Sequence, residues 1–110
     1  MNDPVKMVYR STIQGTIQRA RRIKLDKEKG RTPSSYFNEN INVSKLIEEN
    51  IGNGELYFVS NESIYLFEYV QLDHEIGMVY NTEKGTYQSV SRIVISYSKN
   101  GTHAYPVKDW

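Results

Sequence analysis

The chain reads as an α+β domain, with N-terminal helices packed on one face of a four- to five-stranded antiparallel sheet. Three observations predict that class. Apolar residues recur at helical spacing before Asn50 and change to a period of two from Glu55 onward. Turn residues divide the second half into short β-branched and aromatic runs. A length of 110 residues with 38% apolar content supplies one modest core, below the size at which a second becomes expected.

Each element follows from local chemistry. Ile13, Ile17, Ala20 and Leu25 alternate with basic residues at roughly helical spacing, predicting an amphipathic helix over 16–29 that Gly30 and Pro33 stop. Asn42 is placed to cap a short helix carrying Val43, Leu46 and Ile47 on one side, ended by Asn50 and Gly52. Strands are expected over 56–59, 64–70, 76–80, 92–98 and 103–107. Between them lie the turns Asn61-Glu62, Asp73-His74, Thr82-Glu83-Lys84-Gly85 and Asn100-Gly101, the last being the strongest hairpin signal.

Composition narrows the function classes. The chain has no cysteine, and its two histidines are too far apart in sequence to read as a zinc pattern, so catalysis is expected to need no metal and no cofactor. No apolar run approaches the roughly 20 residues that span a bilayer, and the start lacks the basic and apolar regions of a signal peptide, so no membrane role is expected. The net charge of +1 is unevenly spread: residues 1–35 hold nine cations against three acids, and residues 36–110 hold five against ten. A basic first third suits a polyanion, although a solvated helix face has the same composition.

The end of the chain concentrates chemistry. If Asn100-Gly101 closes a hairpin, then Tyr97, Ser98, Lys99, Thr102 and His103 converge at one end of the sheet. Cleaving RNA without metal needs a base for the 2′-hydroxyl proton, an acid for the 5′-oxygen and cations or donors for the phosphorane. His103 titrates in the right range, Lys99 supplies charge, and Ser98 and Thr102 supply hydroxyls. Arg92 falls on the same strand face as Ser98 by the two-residue period and adds a second cation. The same segment also reads as an ordinary polar hairpin with a surface histidine.

The block from Tyr97 through Gly101-Thr102-His103 to Pro106 resembles the terminal signature of a known family, in which Tyr-Ser-Lys-x-Gly-Thr-His is followed by a proline. That family is the bacterial toxin 50 group of polymorphic toxin nuclease domains, placed in the barnase, EndoU, colicin and RelE-like ribonuclease superfamily and also found attached to phage head proteins. Glu68 followed by Ile76-Gly77, Val79, Asn81 and Gly85 keeps the family's spacing; Gly30-Arg31-Thr32-Pro33-Ser34 and the 46–56 region with Gly52 and Gly54 are also similar. One departure stands out. Where the family carries a histidine shortly before a Gly-Thr pair, this chain has Thr12, ahead of Gly15-Thr16. Threonine is no general base near neutral pH, which leaves an inactivating substitution, a re-wired enzyme or a different alignment. His74, between Asp73 and Glu75, is a poor replacement.

The resemblance implies a toxin ribonuclease that cuts RNA, with transfer RNA among the candidates, by transesterification to a 2′,3′-cyclic phosphate. It implies His103 as the proton-transfer residue, Lys99 and Arg92 as phosphate stabilisers, and Ser98 and Thr102 as positioning donors, with Thr12 at the altered catalytic position. Arg10, Arg19 and Arg22 would help hold RNA, Tyr9, Tyr97 and Tyr105 would offer stacking surfaces, and Glu68 would orient a cation. A cognate immunity protein is the implied partner, with the acidic remainder as its interface or simply a solvated surface. Delivery as part of a larger protein, followed by action in a target-cell cytoplasm, is the implied setting. The alternative is a non-catalytic RNA-binding or protein-interaction domain of the same fold.

Overall fold

The computed structural model describes residues 16–58, 66–98 and 101–110. Its first element, α1 (Thr16–Glu28), stops where Gly30 enters the left-handed region at φ 68°, a conformation that glycine adopts without steric cost. Gly30 N donates to Lys27 O and Arg31 N to Asp26 O, closing the helix end. Only part of the expected apolar stripe faces the protein: Leu25 is half-buried, but Ile17 is 71% exposed and Ala20 is also exposed, while Ile13 lies outside the described residues. Asp26 is the buried residue instead, and its carboxylate accepts both the backbone N–H and the hydroxyl of Ser34.

The second helix, α2 (Val43–Asn50), begins as the sequence predicts, with the Asn42 side chain accepting from Lys45 N at 3.1 Å. Ile47 is fully buried, and Val43 and Leu46 pack beside it against the core.

The strands form two antiparallel sheets rather than one. The smaller joins β1 (Tyr36–Phe37), β4 (Gly77–Asn81) and β5 (Thr86–Val90) in the order β1-β4-β5. The larger joins β2 (Glu55–Phe58), β3 (Leu66–Gln71), β6 (Arg92–Ser98) and β7 (Gly101–Val107) in the order β2-β3-β6-β7. The α+β class holds; the single sheet does not. Ser91 is the physical reason, because it alone separates β5 from β6 and hydrogen bonds with Asp109, Leu72 and Gln71 hold it at the change of sheet. Asp109 accepts from its N–H and its hydroxyl, and its carbonyl accepts from Leu72 N.

The sheets meet at Gly77. A Cβ there would lie 2.5 Å from Tyr36 O and 2.6 Å from Pro106 Cγ, so β1 and β7 pass too close for any side chain. The core gathers Phe37, Ile47, Val70, Ile76, Ile93, Ile95, Tyr97 and Ala104 between α2 and one face of the larger sheet. The other face of that sheet carries the candidate site.

Candidate functional site

Strand register sorts the site residues. Ser96 pairs with His103, Val94 with Tyr105 and Arg92 with Val107 across β6 and β7. Across β3 and β6, Phe67 pairs with Ser96, Tyr69 with Val94 and Gln71 with Arg92, while β2 adds Glu55 opposite Tyr69 and Tyr57 opposite Phe67. Directly paired residues share a face. The face turned away from the core therefore carries Tyr57, Phe67, Tyr69, Gln71, Arg92, Val94, Ser96, Ser98, His103 and Tyr105.

The hairpin cluster expected at the end of the chain consequently splits. Tyr97 and Thr102 pair with each other on the opposite, core-facing side. Thr102 is fully buried, and its hydroxyl has no partner among the described residues. Tyr97 is only 6% exposed and donates its hydroxyl to Glu68 Oε1 at 2.5 Å, so it shows no ring to solvent. Glu68 is buried as well and accepts from Gly52 N at 3.1 Å and Gly54 N at 2.8 Å. Its partners are a phenol and two amides, where the sequence suggested a cation.

Ser98 shares the outer face with His103, but it is buried and donates to Gly101 O at 2.9 Å. Gly101 itself belongs to β7, paired with Ser98 at φ 132°, so the strand begins before the expected His103. Arg92 is on the same face as Ser98, as the period-two spacing required. Six residues of extended strand nevertheless put it about 20 Å from Ser98, and four put it about 13 Å from the Ser96–His103 row.

His103 is half-buried, and its ring lies 5.8 Å from that of Tyr105. Tyr105 leads into a cleft of about 840 Å³, whose walls include Tyr57, Phe67, Tyr69, Gln71 and Arg92. A second cavity of about 610 Å³, reaching Tyr80, Val107 and Lys108, adjoins the first through shared walls at Tyr69, Arg92 and Tyr105. Tyr57 and Tyr69 meet edge to face at 5.2 Å. Burial pushes the Tyr105 hydroxyl above the ordinary phenol range, with Tyr69 adding a smaller effect in the same direction. The Arg92 Nε donates to Gln71 Oε1 at 3.2 Å.

The cations proposed on α1 are placed differently from one another. Arg22 is half-exposed and lies 3.9 Å from the Asp26 carboxylate. The Arg19 guanidinium stacks 4.0 Å above the Tyr36 ring and lies 3.9 Å from Glu39, which ties it to the smaller sheet. Lys99, Thr12, Arg10 and Tyr9 lie outside the described residues. His74 is exposed and contacts Asp73 Oδ1 at 2.6 Å; that contact holds the Asp73 carboxyl below its usual range.

Sequence reasoning missed Tyr57, Phe67, Tyr69 and Gln71 as outer-face residues. The available signal was parity, since residues 67, 69 and 71 alternate with the buried Glu68 and Val70. Parity alone does not say which set faces the core.

A family model described as bacterial toxin 50 matches residues 9–106, nearly the whole chain. The chain belongs to the bacterial toxin 50 family. Neither the curated proteins nor the solved structures gave a match. The matched span covers both sheets, the cleft and the terminal Tyr97–Pro106 segment, and it begins before Thr12.

Proposed function

We propose that this bacterial toxin 50 chain is a metal-independent ribonuclease working on the outer face of the larger sheet. The observation that carries the reading is His103 standing beside Tyr105 at the margin of a cleft that also contains Arg92. A proton-transfer group, an aromatic wall and a permanent cation on one accessible face suit a phosphodiester with unstacked bases.

In the reaction, the ribose 2′-oxygen loses its proton and attacks phosphorus. The bond from phosphorus to the 5′-oxygen breaks, and that oxygen gains a proton, leaving a 2′,3′-cyclic phosphate and a 5′-hydroxyl. His103 performs one of the two proton transfers. Lys99 is the cation that the sequence offers nearest to it for the phosphorane. Arg92, about 13 Å along the sheet from the His103 row, holds a flanking part of the substrate. The exposed cations of α1 assist through long-range attraction.

Membership of a toxin family also supports delivery within a larger polypeptide and a protective immunity protein that binds the toxin. Among the described residues no helix is long and apolar enough to cross a membrane. The second reading, RNA binding without cleavage, is favoured by Thr12 in the place of the family histidine.

Incubating the purified chain with total RNA in EDTA tests the choice, alongside Thr12→His, His103→Ala and the double variant. The expected outcome is weak cleavage by the chain itself that rises in Thr12→His and disappears from both when His103→Ala is added. Cleavage surviving His103→Ala would remove the role assigned to that residue. Salt-sensitive RNA binding with no cleavage by any form would establish the binding reading instead.

A further inference from the structure

The second cavity, of about 610 Å³, is walled by both sheets and falls within the roughly 300–1,000 Å³ of ligand sites. Thr32 and Ser35 border it from the segment before β1, Tyr80 from β4, Arg92 from β6 and Lys108 from just past β7. Its charged walls, Arg92 and Lys108, are both cations, and no carboxylate stands among them. The adjoining cleft differs, because its walls include Glu55 as well as Arg92. Two positive charges beside hydroxyl donors suit an oxyanion.

A chain of hydrogen bonds holds the two cations in place. Ser91 N and Oγ donate to Asp109 Oδ2 at 2.7 and 2.8 Å, which ties the segment after β7 to the start of β6. Lys108 directly precedes that clasp on one side, and Arg92 directly follows it on the other. Those bonds, the backbone N–H foremost, hold the Asp109 carboxyl below its usual range, with a smaller pull from the Arg92 charge. The Gln71 amide nitrogen donates to Ser91 Oγ at 2.9 Å, while its oxygen accepts from Arg92 Nε at 3.2 Å. One edge of the guanidinium is thereby fixed. Among the described residues its Nη donors have no hydrogen-bond partner, and neither Arg92 nor Lys108 forms an ion pair. An arginine already held at one edge gives up little further freedom when the other meets two oxygens.

The cavity also continues the path of the substrate. The His103 ring lies 5.8 Å from that of Tyr105, and Tyr105, Tyr69 and Arg92 border both the cleft and the cavity. Arg92 stands about 13 Å from the His103 row, so a phosphate held there is not the one being cleaved.

We propose that the cavity between the sheets seats a second phosphate of a single RNA strand, gripped by Arg92 and Lys108 together. This subsite rests on the ribonuclease reading for its position relative to the cleaved bond. It carries the substrate from the larger sheet onto the smaller one and makes Lys108 a binding residue.

Fluorescence anisotropy with a labelled single strand of 2′-O-methyl RNA tests the subsite, because that probe has no free 2′-hydroxyl and cannot be cut. Lys108→Gln is expected to weaken binding by about threefold or more and to lower the slope of log affinity against log salt by about 0.7, as one lost phosphate contact does on a single strand. Lys108→Arg keeps the charge and should stay within about twofold of wild type. Lys45→Gln removes an exposed cation from α2, on the opposite side of the larger sheet, and should leave the slope unchanged. A strand with neutral methylphosphonate linkages should bind wild type and Lys108→Gln alike. Inorganic phosphate added at constant ionic strength should shift the backbone amide resonances of Arg92 and Lys108, and should shift neither position in the Arg92→Gln, Lys108→Gln double variant.

A folded Lys108→Gln variant that behaves like Lys45→Gln, or that loses as much affinity for the methylphosphonate strand, would overturn the proposal. Phosphate-induced shifts with undiminished strand binding by Lys108→Gln would also overturn it, by marking a site for the free anion. The readout needs no cleavage. If the EDTA assay shows no ribonuclease activity while Lys108→Gln still lowers the salt slope, the enzymatic reading falls and the subsite stands. If cleavage depends on His103 while Lys108→Gln binds normally, the subsite falls alone.

Discussion

Thr102 carries a hydroxyl that is fully buried on the core face and unpaired among the described residues. Leaving such a group dry costs on the order of 1–3 kcal/mol, so replacing it with an apolar group of the same shape removes a cost. Thr102→Val is expected to unfold at equal or higher urea concentration than the wild type, by up to about 1 kcal/mol, and to cleave or bind RNA unchanged. Loss of RNA handling with stability intact would return Thr102 to the phosphate. Glu68 presents the opposite case at the same scale. Its carboxylate is buried but accepts three donors, Gly52 N, Gly54 N and the Tyr97 hydroxyl, and thereby fastens the segment before β2 to β3 and β6. Gly54 must be glycine for this approach, because a Cβ would come within 2.2 Å of Tyr69 O. The sequence showed Glu68, Gly52 and Gly54 as conspicuous residues, but not that they address one another.

At the scale of elements, the smaller sheet is held by an aromatic ladder. Tyr87 on β5 contacts Tyr36 and Tyr80, each at a ring separation of 5.2 Å, and donates its hydroxyl to Ser34 O at 3.0 Å. Burial first, then the neighbouring Tyr36 and Asp26, push its phenol up to about 12 from an ordinary 10. The proton is held more tightly in the folded state, so the stabilisation is complete below pH 10 and is lost as pH rises toward 12. Measured by urea unfolding between pH 9 and 12, Tyr87→Phe is therefore expected to flatten the alkaline decline relative to wild type. An unchanged decline would mean that Tyr87 titrates normally. The period-two reading did not foresee β5, because Thr86, Tyr87, Gln88 and Ser89 offer no alternating apolar set. Its pairing with β4 is completed by Asn81 Oδ1, which accepts from Glu83 N and Lys84 N in the turn.

At the scale of the molecule, the two sheets depend on a contact that no side chain can share. Gly77 is buried where β4 passes Tyr36 of β1 and Pro106 of β7. Gly77→Ala places a methyl group within 2.5 Å of a backbone oxygen, which only a shift of whole strands relieves, so it is expected to destabilise by about 3 kcal/mol or more. Chemical denaturation checks this: a variant within about 0.5 kcal/mol of wild type would show that the sheets move apart freely. Because β7 also bears His103 and Tyr105, the same substitution should reduce RNA binding in proportion to the unfolded fraction.

The sequence by itself determined the α+β class, the limits of α1 and α2, the cap at Asn42 and the course of β6. Those features depend on spacing and capping among residues a few positions apart, which the chain records directly. Tertiary structure alone decided that strands 86–90 and 92–98 join different sheets, that Tyr97, Thr102 and Glu68 turn inward, and that Tyr69 and Tyr105 share the outer face as the register partners of Val94. A strand offers two faces of alternating residues, and only its partners' register, set by segments distant in sequence, determines which face meets the core.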